Sequence, residues 1–299
     1  MSRLDGKLGD EAGVTLVELV VAIAVSALLA GVITAFMARP MNAYADARLR
    51  AILVDSADSA LGRMKRDVRL ALPNSLRVSP DGSTLEILHT VDGARYRRAA
   101  GTNPGGTDHT AGDDWLGFSA VDSQWNLLGR LTYLSFGYGT PLASSYRLAV
   151  YPTSSAVWSE AASGANPGSI TPNGVAITVS NDGDEDKISL SSGFRFALES
   201  PRQRLYVVDG PVTFRCDTSS GTLTRFSGYL PSVAQPTDPT SAPLLTAASA
   251  LLTRSLSDCG FRYDPGTATR AGLVSIDLGL TEGTEHVRLL DQVHVENAP

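Results

Sequence analysis

The chain has 299 residues, 43% hydrophobic and 19% charged, with a formal net charge of −6. That length holds one large domain or two modest ones; the acidic balance lacks the basic footprint that nucleic-acid binding needs, and two cysteines alone build neither a tetrahedral zinc site nor an iron–sulfur cluster. The mean hydropathy of +0.00 averages two unlike parts, an apolar surplus near the N-terminus and a polar, Gly/Ser/Thr/Pro-rich domain after it.

The first thirteen residues, MSRLDGKLGDEAG, are hydrophilic, and Val14-Thr15-Leu16-Val17-Glu18 leads from them into twenty consecutive uncharged residues, Leu19–Ala38. At 1.5 Å per residue such a helix spans roughly 30 Å, the thickness of a bilayer's hydrocarbon core. A cleaved secretory signal has an apolar stretch of only about 7–15 residues. The spacing therefore predicts a transmembrane helix. Glu18 sits at its end, where a lone carboxylate either snorkels to the headgroups or marks a partner. Arg3 and Lys7 face Asp5, Asp10 and Glu11 on one side, with Arg39, Arg48 and Arg50 on the other. These charges give no support to a cytoplasmic N-terminus.

Beyond Ala38 the pattern stays helical and becomes amphipathic. Leu53, Ala57, Leu61, Met64, Val68 and Leu72 recur at spacings of four and three, one helix face, with Asp55, Asp58, Arg63, Lys65, Arg66 and Asp67 largely off it. Pro40 is expected to kink or break this helix and Pro73 to stop it. From Leu76 onward short β-type runs appear at Leu85–His89, Leu131–Phe136, Tyr146–Tyr151, Val175–Val179, Phe194–Leu198, Leu205–Val208, Val212–Cys216 and Leu223–Phe226. Val274, Ile276, Leu278 and Leu280 then alternate with polar or small residues, and Thr281-Glu282-Gly283-Thr284 turns the chain into a last strand. Gly101–Asp114 and Leu230–Leu244 read as exposed loops. The expected fold is α+β: a long N-terminal helix packed on an antiparallel β-sheet domain.

No nucleophile elbow, Walker A loop or dinucleotide fingerprint occurs, and His89, His109, His286 and His294 form no metal-binding spacing. The acidic run Asn181–Asp186 resembles a calcium loop. Counted from Asp182, however, Lys187 stands where an EF-hand needs Gly and Gly193 where it needs the bidentate Glu; a solvated acidic turn is the expected reading, with a looser calcium site as the alternative. Asp113 and Asp114 read as solvated turn residues. Cys216 and Cys259 lie far beyond redox-motif spacing: one disulfide in an oxidising compartment, two buried thiols in a reducing one.

Gly13 followed by Val14-Thr15-Leu16-Val17-Glu18 and an apolar helix resembles the class III signal of type IV prepilins and pseudopilins. The resemblance implies that a membrane-bound prepilin peptidase cuts between Gly13 and Val14, methylates the Val14 amine and leaves 286 residues of the 299. It implies that Glu18 pairs with an N-terminal amine of a neighbouring subunit, since isolated charges in an apolar fibre core are very costly. A second resemblance lies in Arg39–Val78, Arg204–Asp217, Gly221–Arg225, Gly228-Tyr229, Cys259–Tyr263 and the C-terminal LLDQVHVENAP, which together look like the MshO-type minor pilin of the mannose-sensitive haemagglutinin (MSHA) pilus. On that footing the chain divides into a leader (1–13), an anchoring and assembly helix (14–38), an amphipathic helix (39–72) and a β-rich periplasmic domain (73–299). Its implied partners are prepilin peptidase, other pilins, the inner-membrane assembly platform and, before assembly, membrane lipid. Periplasmic folding implies a Cys216–Cys259 disulfide, which would pin the Leu230–Leu244 excursion to the sheet. No cofactor and no catalysis are implied. The alternatives are a minor pseudopilin of a type II secretion system and, in another class, a single-pass envelope-anchored enzyme or binding module.

Overall fold

The computed structural model describes residues 13–102, 108–109, 114–266 and 271–295; the leader residues 1–12 and most of the Gly101–Asp114 loop lie outside them. The chain divides into two compact units, Met1–Ile52 and Leu53–Pro299. Helix α1 (Leu16–Arg69) contributes to both. In the first unit every described side chain from 13 to 48 is exposed.

Helical structure continues through Pro40 without a break, since its ring removes only its own bond to the carbonyl one turn back. The helix ends at Arg69, short of the expected stop at Pro73. The Leu72 amide instead donates to the Leu88 carbonyl at 2.8 Å and the Thr90 amide to the Leu70 carbonyl at 2.8 Å. Pairing with a strand thus replaces the last helical turn, in a stretch whose pre-proline residue already disfavours helix.

In the second unit all strand ladders are antiparallel. The six-stranded sheet runs β1 (Arg77–Val78), β2 (Thr84–Arg95), β9 (Arg204–Asp217), β10 (Thr222–Ser227), β11 (Ala248–Thr253), with β6 (Arg147–Ala149) also on β9. A three-stranded sheet is formed by β12 (Leu256–Asp264), β13 (Gly272–Glu282) and β14 (Glu285–Val295), and a second by β5 (Asp122–Asn126), β8 (Glu185–Phe194) and β7 (Ile177–Asp182). Strands β3 (Gly101–Thr102) and β4 (Asp108–His109) pair with each other. Helix α2 (Val157–Ser163) and a 3-10 turn (Leu244–Thr246) complete the described helical elements.

Leu53, Ala57, Leu61, Met64 and Val68 of α1, joined by Ala60, are buried against Leu85, Ile87 and Phe214 of the six-stranded sheet and Val274, Ile276 and Leu278 of β13. The predicted face is the observed one, except that Leu72 joins a different cluster with Leu88 and Trp158 of α2. Asp67, expected off the face, is also buried. The predicted final hairpin is present: Glu282 pairs with Glu285, and Gly283 at φ +58° supplies the positive φ that two-residue hairpin turns demand.

Elsewhere the strand reading needs correction. Leu131–Phe136 is not a strand: the Leu131 amide donates to Asp186 Oδ2 at 2.9 Å, and those of Tyr133 and Leu134 to Asp92 Oδ2 at 2.8 and 2.9 Å. Buried carboxylates take the place of a neighbouring strand. Phe194–Leu198 belongs to β8 only at Phe194, with a single bridge from Gly168 to Phe196. The runs at Leu205–Val208 and Val212–Cys216 form one strand, β9, because Gly210 at φ +131° and register shifts in β2 near Thr90 carry the ladder past Pro211.

Candidate functional site

The segment that opens α1 is built by its own sequence. Thr15 precedes the first helical residue, and the Glu18 amide donates to Thr15 Oγ1 at 3.3 Å while the Leu19 amide reaches the Thr15 carbonyl at 3.1 Å. Thr15 thereby caps one of the otherwise unpaired amides at a helix start, at the Thr-x-x-Glu spacing. That spacing is itself a helix-start signal in the sequence. Glu18 in the first turn also complements the positive end of the helix.

Gly13 stands just before this cap. Its φ is not in the left-handed range, and a Cβ built on it meets nothing within 4 Å. Neither backbone conformation nor packing among the described residues requires glycine there. Val14 is 69% exposed and Leu16 78%. Along the apolar run the only described side-chain hydroxyl bond is internal, Thr34 Oγ1 to the Ala30 carbonyl at 2.8 Å, as suits a helix surrounded by hydrocarbon. By length and composition α1 can cross a membrane.

The prokaryotic N-terminal methylation motif matches residues 9–34. That match covers Gly13, Val14, Thr15 and Glu18 and most of the apolar run. The motif is that of type IV pilin-like and pseudopilin chains, which prepilin peptidase processes and which assemble with other pilins. Comparison with curated proteins and with solved structures returns no match.

The other candidate groups of the sequence are committed within the second unit. Cys216 on β9 and Cys259 on β12 are joined by a disulfide, their Cα atoms 6.2 Å apart, tying the six-stranded sheet to β12. The 230–244 excursion is held by Arg77, whose guanidinium donates to the carbonyls of Val233 at 2.7 Å and Ser232 at 3.0 Å, by Gln235 Nε2 donating to the Thr84 carbonyl at 3.3 Å, by Arg215 Nε donating to the Thr237 carbonyl, and by burial of Leu244.

The acidic run is a solvated turn only in part, exposed at Asn181, Gly183 and Asp184. Asp182 pairs with Glu185 across a β7–β8 turn at Gly183, yet Glu185 and Asp186 are buried. Glu185 is paired with Arg97, Asp182 accepts from Asn126 Nδ2 at 2.9 Å, and Asp186 accepts from the Leu131 amide and from Tyr138 Oη at 2.8 Å. Asp114 is likewise buried, 3.3 Å from Lys187 Nζ; Asp113 lies outside the described residues. Among the described residues no cluster of His, Cys, Asp or Glu is arranged to hold a metal. His89 Nδ1 lies 2.9 Å from Asp209 Oδ1, His286 and His294 lie on the exposed face of β14, and nothing is described of the His109 side chain.

Groups with perturbed acidity can mark reactive sites, and the deepest set here is Glu86 with Tyr229. Burial raises the Glu86 carboxyl against the pull of Arg77, and burial with the adjacent Glu86 raises the Tyr229 hydroxyl. Arg77 Nε meets Glu86 Oε2 at 2.7 Å, Tyr229 Oη donates to Glu86 Oε1 at 2.8 Å, and the Arg77 guanidinium lies 3.8 Å above the Trp158 ring. Their perturbation follows from mutual burial, and their partners are one another. A groove of about 710 Å³ lies between the Ser79–Gly82 turn and the outer face of β12–β14, but its carboxylates Asp81 and Asp277 are taken by Ser79 with Ser83 and by Arg288.

Proposed function

We propose that the chain is an MshO-like minor pilin of an MSHA-type pilus, working by assembly rather than catalysis and without a cofactor. Prepilin peptidase cuts between Gly13 and Val14 and methylates the new amine. The apolar Val14–Ala38 segment holds the subunit in the inner membrane with the β domain in the periplasm. On entry into the fibre, Glu18 pairs with the N-terminal amine of a neighbouring subunit. The observation that carries this reading is the methylation motif over residues 9–34 opening a long apolar helix whose described side chains are exposed. Bare apolar surface of that extent needs lipid or other helices around it. The finer assignment to the MSHA type is supported by the sequence stretches Arg39–Val78 and Arg204–Asp217.

A minor pseudopilin of a type II secretion system shares the motif and the anchor, and co-purification with pilus or with secretion components separates the two. The general reading is tested by the N-terminal mass of the protein from cells with and without prepilin peptidase. The expected mature chain starts at a methylated Val14 only when the peptidase is present; a chain still starting at Met1 in its presence overturns the proposal. Unimpaired incorporation of Glu18→Ala into fibres would overturn the pairing role.

A further inference from the structure

A strand at a sheet edge presents unpaired backbone donors and acceptors, and folded chains block such edges with charge, brevity or a covering segment. In the second unit nearly every described edge is managed in one of these ways. β7 is covered by residues 139–142, the Gly139 amide reaching Val179 and the Leu142 amide reaching Ile177, both at 2.8 Å. β6 is covered by residues 169–171, and β12 meets the carbonyls of Gly82 and Gly221. β1 is two residues long. β14, eleven residues long, carries Glu285, His286, Arg288, Asp291 and His294.

β11 is the exception. It pairs with β10 on one side, and no described backbone group meets its other side. From Pro239 to Thr253 the sequence has no charged residue, and Ala248, Ser249, Ala250 and Leu251 are all exposed, on both faces of the strand. Ser56 Oγ of α1 lies 2.7 Å from Thr253 Oγ1 at its C-terminal end, so the open stretch begins beside the helix and runs outward.

We propose that β11 is an interaction edge, and that its occupant is the β11 of a second copy of this chain, added antiparallel across a two-fold axis. The unmet chemistry is a row of backbone amides and carbonyls, which another extended strand satisfies in full. Self-pairing requires a self-complementary edge, and an uncharged strand of small side chains places no like charges opposite each other, whereas directly opposed like charges destabilise a pair. β14 lacks that property. Six paired residues form a contact well below the roughly 1,200 Å² of a stable standard interface. The pair therefore depends on the high local concentration that anchoring in one membrane provides, and in that respect it rests on the anchored-pilin reading.

The test uses the full-length chain in native membranes, with single substitutions Ala248→Cys, Ser249→Cys, Ala250→Cys and Leu251→Cys, and Arg288→Cys on β14 as the matched extra thiol. After oxidation, the covalent homodimer is expected to peak at one β11 position and fall on both sides, as a two-fold axis across the strand dictates. The peak should exceed the Arg288→Cys yield at least tenfold, and Ala250→Lys, or Leu251→Lys if the peak is at 250, added to the peak variant should bring it down to that control. A flat yield at the control level, a peak insensitive to the added lysine, or a covalent partner of different mass overturns the proposal. N-terminal mass is read on the same samples: loss of cross-linking with Val14 at the terminus sinks this inference alone, and cross-linking with Met1 retained sinks the pilin reading alone.

Discussion

Arg225 Nε on β10 and Asp67 Oδ2 on α1 are 2.6 Å apart, and the Asp67 side chain is 5% exposed. Arg63, one helical turn earlier, reaches the other carboxylate oxygen at 3.5 Å but is largely in solvent. The pair adds a directional contact between the helix and the six-stranded sheet to the apolar packing. Removing one partner of a buried pair strands the other charge. Arg225→Ala is expected to destabilise the domain by about 3 kcal/mol, read as a lower denaturation midpoint. Arg63→Ala, at an exposed site, should cost under about 1 kcal/mol.

The Cys216–Cys259 bond closes a loop with a sequence separation of 43 residues. On the chain-entropy account, Cys216→Ser with Cys259→Ser should lower stability by about 4 kcal/mol. Because Arg77 and Gln235 hold the 230–244 excursion independently, limited proteolysis of that loop should increase more in Arg77→Ala than in the disulfide variant under native conditions.

Asp92 accepts two consecutive amides, from Tyr133 and Leu134, through one oxygen. Asp92→Ala leaves both unpaired and is expected to cost about 2 kcal/mol or more, with new protease cutting between residues 131 and 138. The neighbouring acids are occupied in the same manner. Calcium or a chelator is therefore expected to leave the thermal midpoint unchanged, and a calcium-dependent rise would contradict the assignment of Asp182, Glu185 and Asp186 to structural bonds.

Acid should weaken the domain through two exposed turns. Hydroxyls of Ser79 and Ser83 hold the Asp81 carboxyl down at about 2, and those of Ser219 and Ser220, with the Ser220 amide, do the same for Asp217. A carboxyl whose folded pKa is depressed contributes stability above its unfolded value, and that contribution disappears as pH falls through the folded one. The denaturation midpoint should therefore drop between about pH 4 and pH 2, and Asp81→Asn together with Asp217→Asn should flatten that part of the profile. Both sites are solvent-exposed, so the effect is small and salt-sensitive.

The parts of this fold that are legible in sequence are those whose signal is local. The face of α1 from Leu53 to Val68 and the alternation of β13 each repeat with the period of their element. β8 opens with Glu185 and Asp186, which look like loop residues until Arg97 and the Leu131 amide are brought to them from distant sequence. β11 is exposed on both faces and so carries no alternation. Leu131–Phe136 alternates and yet forms no strand, because Asp92 and Asp186 take its amides. The N-terminal methylation motif is legible for the opposite reason: Gly13 through Glu18 form one short uninterrupted run of sequence.

The open space around Gly13 separates two kinds of damage. A substitution there leaves every packed contact and strained dihedral of the described protein as it was, so a thermal or denaturant screen registers nothing. On the proposed reading its consequence falls on processing instead: a folded, stable chain is expected to accumulate uncleaved, and the lesion shows in an assay of where the polypeptide begins.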